Sequence, residues 1–415
     1  MNPSYFQRNE KNIDVSLTKF RALITKNTWR KMGSWDRENF GTVFFDASKN
    51  KARYAMFNIT VEPPEVLRIG RDAYISEERF SKYVAFHTAK LRDHDFDYYE
   101  RIRNLQLELI ERLNINSQRF IKLCDVASFN EVYENLAQLH VLFDFDRSLS
   151  DAIEIMMHEV QGEGENNSIQ IDQVFNESHE TQALNFVKKL REIKSLNLTD
   201  EVLDNELTAV VSEYGHLGFY QFKGDAFTAE DMARMIQDMP VRNSHDESIQ
   251  PDDEISEHFK ALVSLAQLFS QHRLQRVETT NAVFFKLQET LNQFFSERGV
   301  SSYRDLVCPQ VEIVGNGESL CTPIISHDHT VIHISHERIT RLTSKAVENF
   351  LATNSVVEKP SQLKGTRASG GRHIGIARVV LDPSSNHEFK NGDILVCSMT
   401  DPNFLPLMFK AGAFI

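Results

Sequence analysis

Apolar residues recur at every third or fourth position over the middle of the chain, which is the spacing typical of an α-helix. The clearest stretch covers residues 255–298 and is followed by Gly299, a residue type that commonly ends helices. Its apolar positions are Phe259, Leu262, Ala266, Phe269, Val277, Phe284, Leu287, Leu291 and Phe294. Ser128 and Glu131 have capping-box spacing at the start of another helical stretch. The pattern predicts a helical domain over residues 76–358.

The N-terminal residues 1–75 have a mixed pattern. Apolar positions between residues 15 and 24 indicate a short helix. Residues 41–45 and 53–57 are apolar and aromatic runs that indicate two strands, and the residues between them suit a hairpin turn. We therefore expect a mixed α/β subdomain at the N-terminus, with a small β-rich part.

The C-terminal residues 373–415 change to a β/α pattern. Residues 374–381 and 394–397 are short apolar runs separated by turn residues, and both predict buried strands. Thr400, Asp401 and Pro402 then predict the start of a helix, because a side-chain oxygen caps free N–H groups and proline is tolerated in the first turn. Such a helix start also suits an anion.

A stretch rich in glycine and serine, residues 359–372, precedes this segment. It contains Gly365, Ser369 and Gly371 and few apolar residues. This composition predicts a hinge linker between the helical domain and the C-terminal segment. The overall expectation is a mainly α protein with a small β-rich N-terminal part and a β/α segment at the C-terminus.

The composition and charge of the chain argue against some classes of binding partner. The formal net charge is −13, which argues against nucleic acid or an anionic membrane as the main partner. The four cysteines are scattered without a C-x-x-C pair, as expected in a reducing compartment. The N-terminal residues lack the apolar core of a signal peptide, and no apolar stretch is long enough to span a bilayer. We therefore expect a cytoplasmic protein.

Histidines and arginines supply the candidate chemistry. His327, His329, His333 and His336 form the densest histidine cluster, and H-x-H on a strand places two imidazoles on one face. A partly exposed strand with polar residues on one side explains the same pattern without a metal. Structural zinc requires a closed set of four ligands, so we predict no metal site.

Three further residues are candidates for a substrate pocket. His216 lies beside Gly215 and close to Gly218, so its ring can face a cavity or simply bond a carbonyl at a helix corner. Arg273 and Arg276 are three residues apart on the long predicted helix, where neighbouring guanidinium groups bind a phosphate or carboxylate, or pair with acidic side chains.

The C-terminal motifs resemble the mobile phosphohistidine domain of phosphoenolpyruvate-utilising enzymes, the family of phosphoenolpyruvate synthase, pyruvate phosphate dikinase and rifampin phosphotransferase. A serine and two glycines before a Val-rich strand are matched by Ser369, Gly371 and Gly375. The Gly-Asp-Ile-Leu-Val strand and the Thr-x-Pro of the family are matched by residues 392–396 and 400–402. More weakly, residues 214–218 and 331–339 resemble parts of the helical region, the latter a strand followed by a helix.

This resemblance implies a swivelling domain at residues 373–415 that is incomplete. In the family a Gly-Gly turn and the phosphoryl-accepting histidine follow, and residues up to Ile415 contain neither, so the resemblance assigns no catalytic residue here. It implies a dikinase-like phosphotransferase that moves phosphoryl from ATP or phosphoenolpyruvate through a phosphohistidine to a small-molecule acceptor. ATP and Mg²⁺ belong to the complete enzyme, with an ATP-grasp domain or subunit as partner. The alternative is a non-catalytic helical binding or regulatory protein that retains a relic of the mobile domain.

The predicted linker can be tested by limited proteolysis. We expect a protease to cut within residues 359–372 before it cuts the long helix, because a polar Gly/Ser-containing linker presents accessible backbone. Fragments are identified by mass spectrometry. Early cleavage near Phe284 with an intact 359–372 segment would refute the boundary.

Overall fold

The fold is known from a computed structural model that is mainly helical. The described residues are 14–34, 39–70, 72–161, 181–196, 198–219, 224–239, 256–315, 317, 331–334, 339–342, 346–347, 371–381, 383, 388–397, 400 and 402–415. In these ranges, no helix combines the length and the apolar character required to cross a membrane.

Helices occupy most of the described chain. The α-helices are α1 (Leu17–Ile24), α2 (Asn39–Ser48), α3 (Lys51–Met56), α4 (Glu77–Arg92), α5 (Phe96–Leu123), α6 (Val126–Gln161), α7 (Gln182–Ser195), α8 (Asp200–Tyr214), α9 (Ala229–Asp238), α10 (Glu257–Ser296), α11 (Cys308–Gly315) and α12 (Leu405–Met408). Short 3₁₀ helices cover Gly215–Gly218, Tyr303–Asp305 and Pro402–Phe404. The strands are β1 (Asp14–Val15), β2 (Trp29–Ser34), β3 (Val66–Ile69), β4 (Asp72–Ser76), β5 (Val331–Ile334), β6 (Ile339–Leu342), β7 (Ala377–Val379), β8 (Ile394–Val396) and β9 (Ala413–Phe414).

The long helix α10 confirms the helical period read from the sequence. It has 40 residues, which corresponds to about 60 Å at 1.5 Å per residue. Ser256 caps its N-terminus by accepting a hydrogen bond from the Phe259 N–H. Its buried face includes Phe259, Leu262, Phe269, Phe284, Leu287, Leu291 and Phe294. Packing of this apolar stripe, rather than local propensity, stabilises so long a helix.

Helices α4, α5, α6 and α10 form the main helical body. Helix α6 runs antiparallel to α10: Phe129 stacks on Phe294 with ring centroids 4.5 Å apart, and Phe145 stacks on Phe269 at 5.5 Å. Aromatic rings thus fill the seam between the two helices along much of its length. Aromatic pairs of this geometry add stabilisation beyond their buried area.

The start of α6 corrects the expected capping residue. Ser128 lies in the first turn of the helix rather than ahead of it, and its backbone N–H donates to Asp125 Oδ1 at 2.8 Å. Asp125 therefore caps α6, three positions before the expected N-cap Ser128. Both serine and aspartate suit an N-cap, and the carboxylate at Asp125 is additionally favoured by the helix dipole.

The predicted hairpin over residues 41–57 is wrong. Residues 41–45 lie in α2 and residues 53–56 in α3, whose N-cap Asn50 accepts a hydrogen bond from the Ala52 N–H. A short apolar run cannot be assigned to strand or helix by its period when every face is buried. Phe40, Val43 and Phe44 are all within the core, so α2 carries apolar residues around its circumference.

A six-stranded sheet joins distant parts of the chain in the order β1-β6-β5-β3-β4-β2. β5 pairs antiparallel with β3, so residues 331–334 lie beside residues 66–69. Of the strand-then-helix segment expected over residues 331–339, residues 335–338 lie outside the described residues, and Ile339 begins β6, antiparallel to β5, rather than continuing a helix. Inside this sheet His333 Nε2 bonds Glu65 Oε2 at 2.7 Å, and its ring meets Trp29 edge-on.

The C-terminal segment forms a separate three-stranded parallel sheet, ordered β7-β8-β9. Its core consists of Val380, Phe389, Leu395, Phe404 and Leu407. Other apolar side chains of this segment face solvent, among them Ile374, Ile376, Val379, Leu381, Phe414 and Ile415. Parallel strands normally bury both faces, so this sheet has less of its apolar surface covered than is usual for its type.

Buried His87 predicts an acid-sensitive core. Burial, with a smaller contribution from Lys90, lowers the pKa of His87 from 6.5 to about 3. A histidine with a depressed folded-state pKa stays neutral when folded but protonates when unfolded, so stability is lost as pH falls below about 6.5 and until about 3. The loss is up to about 1.4 kcal/mol per pH unit.

We expect the His87→Gln variant to show a smaller decrease in unfolding free energy between pH 6.5 and 4.5 than the unsubstituted chain. Urea titrations at each pH measure this slope. The matched control is His158→Gln, which replaces an exposed histidine of α6. Identical slopes for all three proteins would contradict a titrating core histidine.

Candidate functional site

The glycine-flanked turn Gly215–Gly218 is held tightly against the loop that follows it. The Phe227 N–H donates to Gly215 O at 2.8 Å. A Cβ added at Gly218 would lie 2.4 Å from Asp225 O and 2.8 Å from Phe227 N. Glycine is therefore required at position 218 by the close approach of backbone.

His216 faces α7 and α10 from this turn. Its Nε2 is 2.9 Å from Gln182 Oε1, and its ring centroid is 6.3 Å from that of Phe285. Burial lowers the pKa of His216, with Lys286 adding to the effect. This shift favours the neutral imidazole, and a backbone hydrogen bond at Glu213 opposes it.

Glu278 of α10 connects this histidine to the long helix. Its Oε1 accepts the backbone N–H of Gln182 at 2.7 Å, so the carboxylate caps the first turn of α7. Burial raises the pKa of Glu278, while the backbone hydrogen bonds at Gln182 oppose that shift. Asn281, one turn further along, donates from Nδ2 to Phe219 O at 2.6 Å. Helix α10 therefore fixes both sides of the His216 turn.

The C-terminal segment packs on the same turn. Pro402–Phe404 contacts Gly215–Gly218, and Leu405 and Phe409 pack against the apolar cluster of α7, α8 and α9. Lys410 Nζ is 3.2 Å from Asp238 Oδ2 of α9. The structure thus brings two of the sequence candidates together, the His216 turn and the Thr-x-Pro segment.

The Thr-x-Pro segment itself begins with a short turn. Thr400 is exposed, Asp401 lies outside the described residues, and Pro402 opens a three-residue 3₁₀ helix. Asn403 is buried, and its Oδ1 has no hydrogen-bond partner. A Cβ at Gly224, whose φ is +76°, would lie 3.3 Å from Asn403 Nδ2. Asn403 therefore places a polar side chain beside the loop that follows the turn.

Arg273 and Arg276 do not join this site. Arg276 is buried; it donates from Nη1 to Gln106 Oε1 at 2.9 Å and pairs through Nη2 with Asp146 at 2.5 Å. Arg273 is exposed. Phe285, the α10 residue beside His216, is twelve residues beyond Arg273, a separation of about 18 Å along the helix. The two arginines also differ in environment and do not offer a shared guanidinium face.

The remaining candidates fall partly outside the described chain. His327, His329 and His336 lie outside it, as do Gly365 and Ser369 of the predicted hinge. The partly exposed strand expected here is wrong, because β5 is buried throughout and His333 is bonded to Glu65. Gly371 has φ +125°, a conformation that favours glycine. Within the ranges that the structure describes, no group of three or more His, Cys, Asp or Glu side chains is arranged to hold a metal ion.

Comparison with known proteins gives two partial matches and no matching family model. A 55-residue segment is 47% identical to a probable phosphoenolpyruvate synthase of Staphylothermus marinus and covers 13% of this chain and 7% of that protein. A 59-residue segment is 41% identical to a probable phosphoenolpyruvate synthase of Methanocaldococcus jannaschii and covers 14% of this chain and 5% of that protein. These matches support a link to the phosphoenolpyruvate-utilising enzymes. The chain therefore spans a small part of the length of either relative.

Sequence reasoning missed the groups that hold the turn. Gln182, Glu278 and Asn403 were not candidates, because their role depends on contacts between residues far apart in the chain. The Lys410–Asp238 ion pair likewise joins two segments that lie far apart in the sequence.

Gly218→Ala tests whether the turn and the C-terminal segment are coupled. The added Cβ would push Asp225 and Phe227 backbone away, and with them the loop that meets Asn403; steric overpacking of this kind costs about 1–3 kcal/mol. We expect faster hydrogen exchange at residues 402–410. Gly215→Ala is the matched control, since its Cβ would be 3.2 Å from Phe227 O and needs a smaller shift. Unchanged exchange in Gly218→Ala would show that the segments are independent.

Proposed function

We propose that this chain is the helical region and the leading part of the mobile domain of a dikinase-like phosphotransferase. The complete enzyme would move phosphoryl from ATP, or from phosphoenolpyruvate, through a phosphohistidine to a small-molecule acceptor. The supporting observation is that the C-terminal segment with the family motifs forms a parallel sheet and packs on the His216 turn. The partial matches to phosphoenolpyruvate synthases support the same assignment.

In this proposal the phosphoryl-accepting histidine lies in sequence that follows Ile415. Exposed apolar side chains on the C-terminal sheet are consistent with further β/α structure that covers them. A neutral imidazole is a good nucleophile near pH 7, and the phosphoimidazole it forms is a reactive carrier. ATP and Mg²⁺ would bind an ATP-grasp domain or subunit that acts as the partner.

The His216 turn would then serve as the docking position of the mobile domain. Leu405, Phe409 and the Lys410–Asp238 ion pair give this position an apolar contact and one charge contact. A small interface with one partly exposed ion pair suits a domain that must leave and return. Thr400, Asp401 and Pro402 would support the phosphate side of the reaction, with the acceptor held near His216.

A second candidate is a non-catalytic binding or regulatory protein built on the helical body. One observation favours it: Glu278 and Gln182 are engaged in holding α7 and His216. Groups engaged in this way stabilise a turn without any chemistry. The two candidates differ in whether a phosphohistidine forms on the mobile domain of the longer protein.

The phosphotransferase proposal predicts that residues 1–415 alone do not turn over ATP. We expect no AMP or ADP release above background from the purified chain with ATP, Mg²⁺ and pyruvate. Release is measured by ion-pair chromatography, with heat-denatured protein as the blank. Saturable turnover by this chain alone would contradict the assignment of the acceptor histidine to a later segment.

The longer protein provides the complementary test. When the chain is extended by its continuation and combined with an ATP-grasp partner, we expect an acid-labile, base-stable phosphate on the protein. Replacement of the phosphoryl-accepting histidine in the added segment by asparagine should abolish this phosphate. Absence of the phosphate in the extended protein would favour the non-catalytic candidate.

A further inference from the structure

Three structural elements bring arginines to one corner of the helical body. Arg30 of β2 is bonded to Asp151 of α6, with Nη1 and Oδ2 3.2 Å apart. Arg147 precedes Asp151 by one helical turn, and its Nη1 donates to Met32 O of β2 at 3.5 Å. The two arginines therefore lie on the same α6–β2 contact. Neither residue belongs to the His216 turn.

Arg273 of α10 reaches the same corner from the other side. Arg276 is bonded to Asp146 of α6, which fixes the register of the two helices at this point. Helices α6 and α10 are antiparallel. Arg273 precedes Arg276 by one turn, so it lies beside the α6 turn that follows Asp146. That turn begins with Arg147. Arg273 accordingly influences the pKa of both Asp146 and Arg147.

Positive charge exceeds negative charge at this corner. Asp144 and Asp146 are buried and already bonded to buried cations, so Asp151 is the carboxylate that the corner retains. Within the described part of the chain, the hydrogen bond to Met32 is the one that Arg147 makes, and Arg273 forms no ion pair. Burial lowers the pKa of the half-buried Arg147, and the charges of Arg30 and Arg273 lower it further.

We propose that Arg30, Arg147 and Arg273 form a binding site for a dianionic phosphate group. Three guanidinium groups and one carboxylate leave two positive charges, which matches the charge of a phosphomonoester or of inorganic phosphate. Guanidinium groups bind phosphate oxygens bidentately, and this gives arginine its preference for such ligands. The half-buried Arg147 forms the base of the site. The more exposed Arg30 and Arg273 close on the phosphate from either side.

Such a cluster is unexpected in a chain with a net charge of −13, where exposed cations are readily paired with carboxylates. Arg147 contributes little to the contact between α6 and β2, because its single bond to Met32 is long. Asp151 and Asp144 offset part of the repulsion among the three guanidinium groups, and a purely structural role would leave the rest uncompensated. A bound phosphate removes that repulsion.

Thermal unfolding measured with added anions tests the site. A ligand that binds the folded state raises the melting temperature in a saturable way. At constant ionic strength, set with potassium chloride, we expect inorganic phosphate to raise it and pyruvate to have little effect. Phosphoenolpyruvate, which adds a phosphate to the pyruvate skeleton, distinguishes the two natural sources: a larger effect than that of inorganic phosphate indicates a phosphomonoester ligand. The site is supported whether the effect of phosphoenolpyruvate is larger than that of inorganic phosphate or not.

Variants locate the binding. Arg273→Gln should weaken phosphate binding about tenfold or more, because it removes a charged hydrogen-bond donor. Arg147→Gln should do the same, and Arg273→Gln, at an exposed position, remains informative if the half-buried substitution impairs folding. Arg112→Gln on α5 is the matched control for an exposed arginine, with unchanged binding expected. The proposal is overturned if phosphate acts no differently from chloride, or if Arg273→Gln binds phosphate like the unsubstituted chain. Neither outcome depends on phosphotransferase activity.

Discussion

Two buried aspartates of α6 govern how the helical body is assembled. Asp144 is bonded to Lys49, which follows α2, and Asp146 is bonded to Arg276 of α10. Burial lowers the pKa of Lys49 and raises that of Asp146, which disfavours both charged forms, and the bonds to Asp144 and Arg276 oppose these shifts. Removing one member of such a pair typically costs about 3–5 kcal/mol, because it leaves an isolated buried charge.

The same pairs position the candidate site. Arg276 fixes α10 against α6, and Glu278 and Asn281 follow within the next two turns of the same helix. These two side chains hold Gln182 and Phe219, on either side of the His216 turn. The C-terminal segment then packs on that turn. A chain of direct contacts therefore runs from the charged core to the surface on which the family motifs lie.

The sequence was informative where local pattern determines structure. Helix α10 was predicted from its apolar stripe, and the C-terminal strands from two apolar runs separated by turn residues. The expected burial of the first of these strands is wrong, because Ile376 and Val379 face solvent. The hairpin over residues 41–57 was wrong because α2 is buried on every side, which removes the period that distinguishes helix from strand. The pairing of His216 with Gln182 could not be predicted from the sequence for a different reason. The two residues are 34 positions apart, and their contact depends on how α7 packs against α10.

The topology of the six-stranded sheet has a consequence for synthesis on the ribosome. β3 lies between β4 and β5, yet β5 is encoded about 260 residues after β3. At about 5–20 residues per second, the nascent chain carries β3 with one unpaired edge for about 10–50 s. Unpaired strand edges invite pairing with other chains. Closure of this sheet is thus a late event in synthesis. The unpaired edge of β3 is where neighbouring nascent chains on one polysome would first pair with each other.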